Sequence, residues 1–235
     1  SLQSGTPDNF LSNLVWCIEP RKGMVINMSD EKKTRNSALT KAKILEAAED
    51  EFAQKGLAGA RIDEIARISG FNKNMIYQYY KSKEKLYETV IYNEYSKLSE
   101  LENVIISRNA GCKETIETIV REYFMFLKGN PNFVRLIMWE NLNEAKYIEA
   151  SGALNIKDPM LKMLGRVVEK GKSEKIFNEK VNEKQVMLSL IMGAFSYFSN
   201  IYTLSKVIHI DLENEETMNE RIRIVTDSIL NYLAL

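Results

Sequence analysis

Apolar residues recur at three- and four-residue spacing along most of this chain, and that periodicity limits what it can fold into. The predicted helices cover residues 37–56, 62–69, 73–80, 83–104, 113–128, 131–143, 158–172, 183–206 and 215–233. No segment of useful length alternates apolar and polar residues as a strand does. Only four prolines and eleven glycines interrupt the 235 residues, which favours long helices. The sequence therefore predicts an all-α protein.

The pattern from Ile62 to Tyr77 is that of a helix-turn-helix unit. Such a unit needs two short helices at a steep angle and a tight turn, which often contains glycine. Gly70 lies between the two predicted helices, where positive φ suits a turn. Ile65 and Ile76, together with Phe71, are predicted to form a miniature core.

The first residues of the second helix in such a unit face the base edges of DNA. Asn72 is suited to cap that helix, and so Lys73, Asn74 and Met75 are predicted to contact bases. Ser82 is suited in the same way to cap the fourth helix. The sequence thus predicts a short DNA-reading helix that begins after the Asn72 cap and ends before Ser82, which caps the next helix.

The distribution of charge agrees with a DNA-binding segment, although the formal net charge of the chain is zero. Residues 31–83 contain eleven Lys or Arg and seven Asp or Glu, so this segment carries +4 and the remainder carries −4. A modestly basic segment on a modestly acidic body is the asymmetry that nucleic-acid binding requires.

Few residues are available for metal or catalytic chemistry. Cys17 and Cys112 are far apart and His209 is the only histidine, so we predict no metal site and no cofactor. His209 lies near Asp211, but no nucleophile motif accompanies the pair, and a surface histidine is expected. No apolar run approaches the roughly 20 residues of a membrane span. We expect a cytoplasmic protein with reduced thiols that is not an enzyme and has no membrane partner.

Two strings of residues carry a resemblance to a known family. The run TKAKILEAAEDEFAQKG over residues 40–56 resembles the first helix of TetR-type transcriptional regulators. Ile65-Ala66, Gly70 and the run IYQYYKSKEKL over residues 76–86 resemble the helix-turn-helix of that family and the start of its fourth helix. The resemblance spans roughly residues 37–90, and its order and spacing are far more specific than a helix-turn-helix pattern alone.

The resemblance implies roles for the matching positions. Tyr77 and Lys83 would contact phosphates, and Thr40 would do so from the first helix. A lysine at the start of a helix is physically suited to this, because free N–H groups there also attract phosphate. Arg61 stands where the family commonly has Thr, and we expect it to reach the DNA backbone or the minor groove.

The chain departs from the family at the start of the recognition helix. Asn74 and Met75 stand where the family often has Gly and then Thr. Met75 cannot donate a hydrogen bond, so a contact with a thymine methyl group is the interaction open to it.

Three segments are predicted along the chain. Residues 1–36 form an N-terminal extension of unknown role, residues 37–83 the helix-turn-helix domain, and residues 84–235 a helical domain for effector binding and dimerisation. Residues 1–30 fit no family pattern, and Met24 and Met28 are both candidate natural starts. We therefore expect residues 1–30 to be dispensable for DNA binding.

The larger domain contains aromatic and amide side chains suited to a ligand pocket, which is usually apolar with a few placed polar groups. The predicted wall residues are Tyr95, Phe124, Trp139, Asn143, Phe195, Phe198 and Tyr202. The alternative is that these aromatics are packed core. Glu140 and Asn141 either bind a polar effector or bond within the helical bundle, and the sequence leaves both open.

The last two long helices are predicted to form a dimer interface, since the resemblance implies a homodimer. The predicted interface residues are Met187, Ile191, Ala194, Ile222, Val225, Ile229 and Leu233. Two such helices from each protomer would make a four-helix bundle. The alternative is that both stripes are buried against their own chain.

The sequence and the resemblance together predict a DNA-binding regulator. It would be a repressor, bound to a palindromic DNA operator and released by a small-molecule effector of unknown identity. An activator or a non-transcriptional DNA-binding protein of the same fold remains an alternative. A helical ligand- or protein-binding module without DNA binding is another. An enzyme would need a nucleophile and base or a set of metal ligands, and the sequence offers neither.

Overall fold

The computed structural model describes residues 28–101, 110–153 and 159–234, and within these ranges it contains eleven helices and no strand. The helices are α1 Met28–Gly59, α2 Ile62–Ser69, α3 Lys73–Tyr80, α4 Lys83–Ser99, α5 Cys112–Gly129, α6 Pro131–Leu142, α7 Lys146–Ser151, α8 Pro159–Ser173, α9 Glu183–Ser199, α10 Ile201–Val207 and α11 Glu215–Leu233. The predicted all-α class is confirmed. The predictions made for residues 1–27, including Cys17 and Met24, lie outside the described residues.

Most predicted helices agree with the structure, and one prediction is wrong. The helix predicted over residues 183–206 is two helices, α9 and α10, which meet at an angle of 79°. The side-chain amide of Asn200 donates to the Ser196 carbonyl oxygen at 3.0 Å and to the Ser199 hydroxyl at 3.0 Å. An asparagine that bonds to the preceding turn ends a helix in this way, although the apolar spacing continues past it.

Three smaller differences concern the other helices. Helix α1 begins at Met28 rather than at residue 37, and it continues to Gly59 past Gly56, whose φ of 64° is not helical. Helix α4 ends at Ser99 rather than near residue 104, and residues 102–109 lie outside the described part of the chain. Helix α7 has six residues and was not predicted. It is entered through Ala145 in the left-handed region, with φ of 61°, a conformation that no local sequence signal announces.

The chain divides between Thr40 and Lys41 into two units, and the packing described here belongs to the second. Helix α5 lies at the centre of one buried apolar cluster and packs against α8, α9 and α11. Helices α9 and α11 approach closely at Gly193. A methyl group on this residue would lie only 2.9 Å from Val225 Cγ2. The domain boundary expected after residue 83 stays a prediction.

A second apolar cluster joins the helix-turn-helix region to α6 and α7. It includes Phe52 and Tyr87, whose rings meet edge to face with centroids 5.0 Å apart. Leu136 of α6 and Ile148 of α7 are buried in the same cluster. The region predicted to read DNA therefore shares a core with two helices of the larger domain.

Within the described ranges, no individual helix has the length and apolarity of a membrane span. Helices α9 and α10 reach those values only when they are combined across their bend.

Candidate DNA-binding surface

Helices α2 and α3 form the predicted helix-turn-helix around Gly70. Gly70 has φ of 77°, and its N–H donates to the Ala66 carbonyl oxygen at 3.1 Å. Ile65 and Ile76 are fully buried between the helices, and Phe71 packs against the same cluster. The turn glycine and the miniature core are confirmed.

The start of α3 has a side-chain cap and an exposed face. The Asn72 side chain accepts a hydrogen bond from the Met75 N–H at 2.9 Å, which confirms the predicted cap. Lys73, Asn74 and Tyr77 are exposed, whereas Met75 is half-buried. Ile76 and Tyr80 are buried, and Asn74 lies on the side of α3 away from them, so the first turn of α3 presents exposed polar side chains.

Gln78 is an exposed residue of α3 that the sequence prediction did not include. It follows Tyr77 and lies one turn after Asn74. Glutamine can form a bidentate pair with adenine, and so Gln78 joins Lys73 and Asn74 as a candidate for reading bases. The signal available in the sequence was its position four residues after Asn74, on the same side of a helix.

The basic residues near α3 have weak partners within the protein. Lys73 Nζ lies 2.5 Å from Asp63 Oδ1, and both side chains are about half exposed. Lys83 Nζ donates to the Ala58 carbonyl oxygen at 3.4 Å. Exposed ion pairs contribute about 0–1 kcal/mol, so a DNA phosphate or base can replace either partner at low cost.

Two buried contacts fix the orientation of the unit on α1. The Glu51 carboxylate, which is 3% exposed, accepts a hydrogen bond from the Arg61 N–H at 3.0 Å, and this holds the start of α2. The Tyr80 hydroxyl donates to the Lys41 carbonyl oxygen at 2.9 Å, which holds the end of α3. Burial, with a smaller effect from Tyr79, raises the pKa of Tyr80 to about 12, and so it remains a donor.

The predicted roles of the remaining residues stay predictions. The Arg61 side chain is exposed at the start of α2. The Thr40 hydroxyl donates to the Asn36 carbonyl oxygen at 2.9 Å, within the first unit of the chain.

A polar cluster connects α1 with α4 and α6. Lys97 Nζ lies 2.8 Å from Glu49 Oε2 and also forms an ion pair with Glu94. The Asn132 side-chain amide donates to Glu49 at 3.2 Å and to Asp50 at 2.7 Å. Burial raises the pKa of Glu94 to about 7, and the charge of Glu49 adds to the effect. Although burial opposes ionisation of Glu49, hydrogen bonds from Lys97 lower its pKa.

A cavity of about 390 Å³ lies in the larger domain between α5, α6, α9, α10 and the start of α11. Its apolar wall includes Leu127, Val134, Phe198, Ile201 and Met218. Its charged residues are Lys128, Arg135 and Glu213, and the exposed Tyr202 also lines it. The volume lies in the range of small-molecule sites.

The predicted pocket residues are only partly brought together. Phe198 and Tyr202 line the cavity, and Phe124 is buried behind Phe198, with ring centroids 6.0 Å apart. Phe195 packs against the same apolar cluster. Tyr95 instead meets Phe133 edge to face at 5.7 Å.

Trp139 lies on the side of α6 that faces the DNA-reading region, and the exposed Asn143 directly follows the end of α6. Trp139 Nε1 donates to the Ala53 carbonyl oxygen at 3.2 Å, and its ring covers Gly56. The Asn143 amide donates to the Trp139 carbonyl oxygen at 2.7 Å and so closes the end of α6. Neither residue lines the 390 Å³ cavity.

Glu140 bonds within the helical bundle, one of the two roles left open by the sequence. Its Oε2 accepts hydrogen bonds from the Tyr147 N–H at 3.0 Å and the Ile148 N–H at 2.9 Å, and this fixes the start of α7. Burial, together with the charge of Glu140, raises the pKa of Tyr87. Asn141 is exposed, and so is His209, as predicted.

The comparisons with known proteins match both halves of the chain. Residues 44–90 match the model of bacterial regulatory proteins of the tetR family. Residues 113–229 match the model of the tetracyclin repressor-like C-terminal domain. The chain belongs to the TetR family.

Relatives of this TetR-family chain include named repressors. It is 26% identical over 195 residues to the HTH-type transcriptional repressor NicS of Pseudomonas putida, covering 83% of this chain and 92% of NicS. It is 36% identical over 108 residues to the repressor SCO4008 of Streptomyces coelicolor, covering 46% of this chain and 53% of that protein. The crystal structure of FadR from Bacillus subtilis in complex with stearoyl-CoA has the same fold, with a TM-score of 0.61, 19% identity and coverage of 82% and 97%.

The residues predicted for the TetR-type dimer interface are mostly buried in their own protomer. Six of the seven are buried, and Ile191 is 39% exposed. The six are Met187, Ala194, Ile222, Val225, Ile229 and Leu233. The sequence left open whether these residues form a dimer interface or pack against their own chain, and these six pack against their own chain. The exposed large hydrophobic residues on the same helices are Leu188, Ile191 and Met192 on α9 and Ile224 and Tyr232 on α11.

Proposed function

We propose that this chain is a cytoplasmic, homodimeric TetR-family repressor that binds a palindromic operator and leaves it when a small molecule binds the larger domain. The observation that carries the proposal is the exposed polar face of α3 on a buried, capped helix-turn-helix. The names of NicS and SCO4008 as repressors support the direction of regulation.

The DNA-binding role is supported by the contrast between the two faces of α3. Ile76 and Tyr80 hold the helix against α1 and α4, whereas Lys73, Asn74 and Gln78 are exposed. A recognition helix contributes base contacts from its first turns, and these exposed residues occupy them. Tyr77 and Lys83 flank this face and supply the phosphate contacts, which position the protein without reading sequence.

The dimer is supported by the exposed apolar face of α9. Leu188 and Met192 are 47% and 60% exposed and lie one turn apart, with Ile191 beside them. Ile224 of α11 is 43% exposed. A second copy that packs these helices against its own would bury this apolar surface in a four-helix bundle. Two reading heads related by a twofold axis require a palindromic site.

Effector control is supported by the position of α6. Val134, Arg135 and Met138 line the cavity, while Asn132 and Trp139 of the same helix bind α1. A ligand that favours one position of α6 therefore favours one position of the reading head. Coupling of about 1–3 kcal/mol changes operator affinity roughly 5- to 150-fold. The stearoyl-CoA complex of FadR is consistent with ligand binding in this fold.

The test is a mobility shift with sheared genomic DNA from the source organism at several salt concentrations. The wild-type chain is expected to bind a subset of fragments with an affinity that falls as salt rises. A variant with Lys73→Ala, Asn74→Ala and Gln78→Ala is expected to lose the preference among fragments. The matched control changes Lys170, Lys172 and Lys175 to Ala, on and just beyond the end of α8. Equal binding of all fragments by the wild type would favour a helical module without specific DNA binding.

A further inference from the structure

The 390 Å³ cavity has an uneven chemical lining. Its wall is apolar over most of its area, and its cationic residues, Lys128 and Arg135, come from one corner of the fold, where α5 ends and α6 begins. Lys128 is near the end of α5 and Arg135 is in the second turn of α6. Pro131, which lies between them in the sequence, also lines the cavity. One acid, Glu213, comes from the loop before α11. The lining therefore carries an excess of one positive charge.

The two cations are both exposed to solvent, and neither has an ion-pair partner among the residues that the structure describes. Lys73, Lys85 and Lys97 in the same chain each form a short ion pair with a carboxylate, which Lys128 and Arg135 do not. An anion on a largely apolar ligand is costly to bury unless a cation meets it. A guanidinium also matches a carboxylate with two parallel hydrogen bonds.

We propose that this cavity binds an amphipathic monocarboxylate, which is an apolar or aromatic body with a single carboxylate group. Arg135 and Lys128 hold the carboxylate, and the wall formed by Val134, Phe198 and Met218 holds the apolar body. The volume suits a small molecule rather than a ligand of coenzyme size. This inference rests on the proposed effector role of the cavity and names the class of effector.

Arg135 also connects ligand binding to the reading head. It lines the cavity and, on its other side, an open groove formed with Ala53, Gln54 and Trp139. Trp139 follows Arg135 by one helical turn and bonds to Ala53 of α1. A carboxylate that draws the guanidinium into the cavity therefore acts on α6 directly beside its contact with α1.

The experiment is isothermal titration of the full chain with matched pairs of compounds. The probes are octanoate, decanoate and 4-phenylbutyrate, each paired with its primary amide, which keeps the body and removes the charge. Each carboxylate is expected to bind up to about fivefold more tightly than its amide, since one exposed charge contact contributes at most about 1 kcal/mol. Arg135→Gln is expected to remove most of that preference and leave amide binding unchanged. Lys184→Gln, on the exposed side of α9, is the matched control.

Several results would overturn the inference. These are equal affinity for a carboxylate and its amide, failure of all three carboxylates to bind, or an unchanged preference in Arg135→Gln. Tighter binding of amino-acid zwitterions, lost in Glu213→Gln, would assign a different ligand class. The ligand-free wild-type protein is tested for DNA binding in parallel, so that absence of specific DNA binding without any carboxylate contradicts the proposed function separately. A carboxylate that binds as expected without weakening DNA binding supports the site and contradicts its effector role.

Discussion

Replacement of Gly56 by alanine tests how α6 is attached to the DNA-reading region. Gly56 has φ of 64° and ψ of 176°, a region that is essentially restricted to glycine and costs other residues about 1–3 kcal/mol. A methyl group there would lie 2.8 Å from Trp139 Cδ2, and such overpacking costs about 1–3 kcal/mol more. We expect Gly56→Ala to lower the free energy of unfolding by about 2–6 kcal/mol in urea titrations followed by circular dichroism.

A double-mutant cycle separates the two costs. In the background of Trp139→Leu the ring is absent, and only the backbone cost of Gly56→Ala should remain. The coupling free energy between the two sites is therefore expected to be about 1–3 kcal/mol. Gly70→Ala is the matched control, because Gly70 also has positive φ but no atom lies within 4 Å of the added methyl group. Its cost should be about 1–2 kcal/mol and independent of Trp139.

Additivity would refute this reasoning. If the costs of Gly56→Ala and Trp139→Leu add to within about 0.5 kcal/mol, the indole ring does not pack on Gly56. The hydrogen bond from Trp139 Nε1 to the Ala53 carbonyl oxygen would then be the contact of Trp139 with α1 that remains.

Three further predictions concern DNA contacts, pH and helix packing. Lys83→Ala should weaken binding to all sequences alike and flatten the slope of log affinity against log salt by about 1. Asn74→Ala should instead change the preference among operators by roughly 1–3 kcal/mol. The opposite pattern would reverse the roles of the two residues. Because the pKa of Glu94 rises from 4.5 to about 7 on folding, the folded state holds more protons between these values, and stability should fall as pH rises through this window. Glu94→Gln should abolish this dependence of stability on pH. Above pH 7 it should stabilise the protein by roughly 1–3 kcal/mol, since each pH unit between the two pKa values is about 1.4 kcal/mol. If urea titrations show the same dependence on pH in the variant, Glu94 is not its source. Gly193→Ala should destabilise the contact of α9 with α11, whereas Gly165→Ala, in a helix with open space around it, should stabilise by up to about 1 kcal/mol; equal effects on the melting temperature would contradict the close packing at Gly193.

The sequence predicts best what is encoded locally. Asn72 and Gly70 mark the ends of their helices through properties of a single residue, a side-chain acceptor and a permissive backbone. The core position of Ile65 follows from helical spacing in the same way. These features, and the resemblance carried by residues 37–90, are sufficient for the fold class and the family.

Long-range placement is beyond the sequence signals. The apolar stripe that contains Ile222 and Val225 predicts a buried face, but periodicity cannot tell whether its partner is the same chain or a second copy. Trp139 is an aromatic residue in the larger domain, and only the packing of α6 reveals that it faces Gly56 rather than the cavity. No pattern in the sequence singles out Arg135 as a ligand-binding residue. It becomes a candidate only because the end of α5 and the start of α6 place it in the lining of the same cavity as Lys128.

The central claim is that the chain binds DNA as a symmetric pair of α3 helices, and selection from a random-sequence DNA library tests it most directly. The wild-type protein is presented to double-stranded oligonucleotides at physiological salt, and the bound fraction is sequenced after several rounds. A symmetric pair of α3 helices is expected to enrich an inverted repeat whose half-sites lie on the same face of the duplex. The variant with Lys73→Ala, Asn74→Ala and Gln78→Ala should enrich no such repeat. Absence of any enriched sequence with the wild type, or enrichment of the same repeat by the variant, would contradict the account.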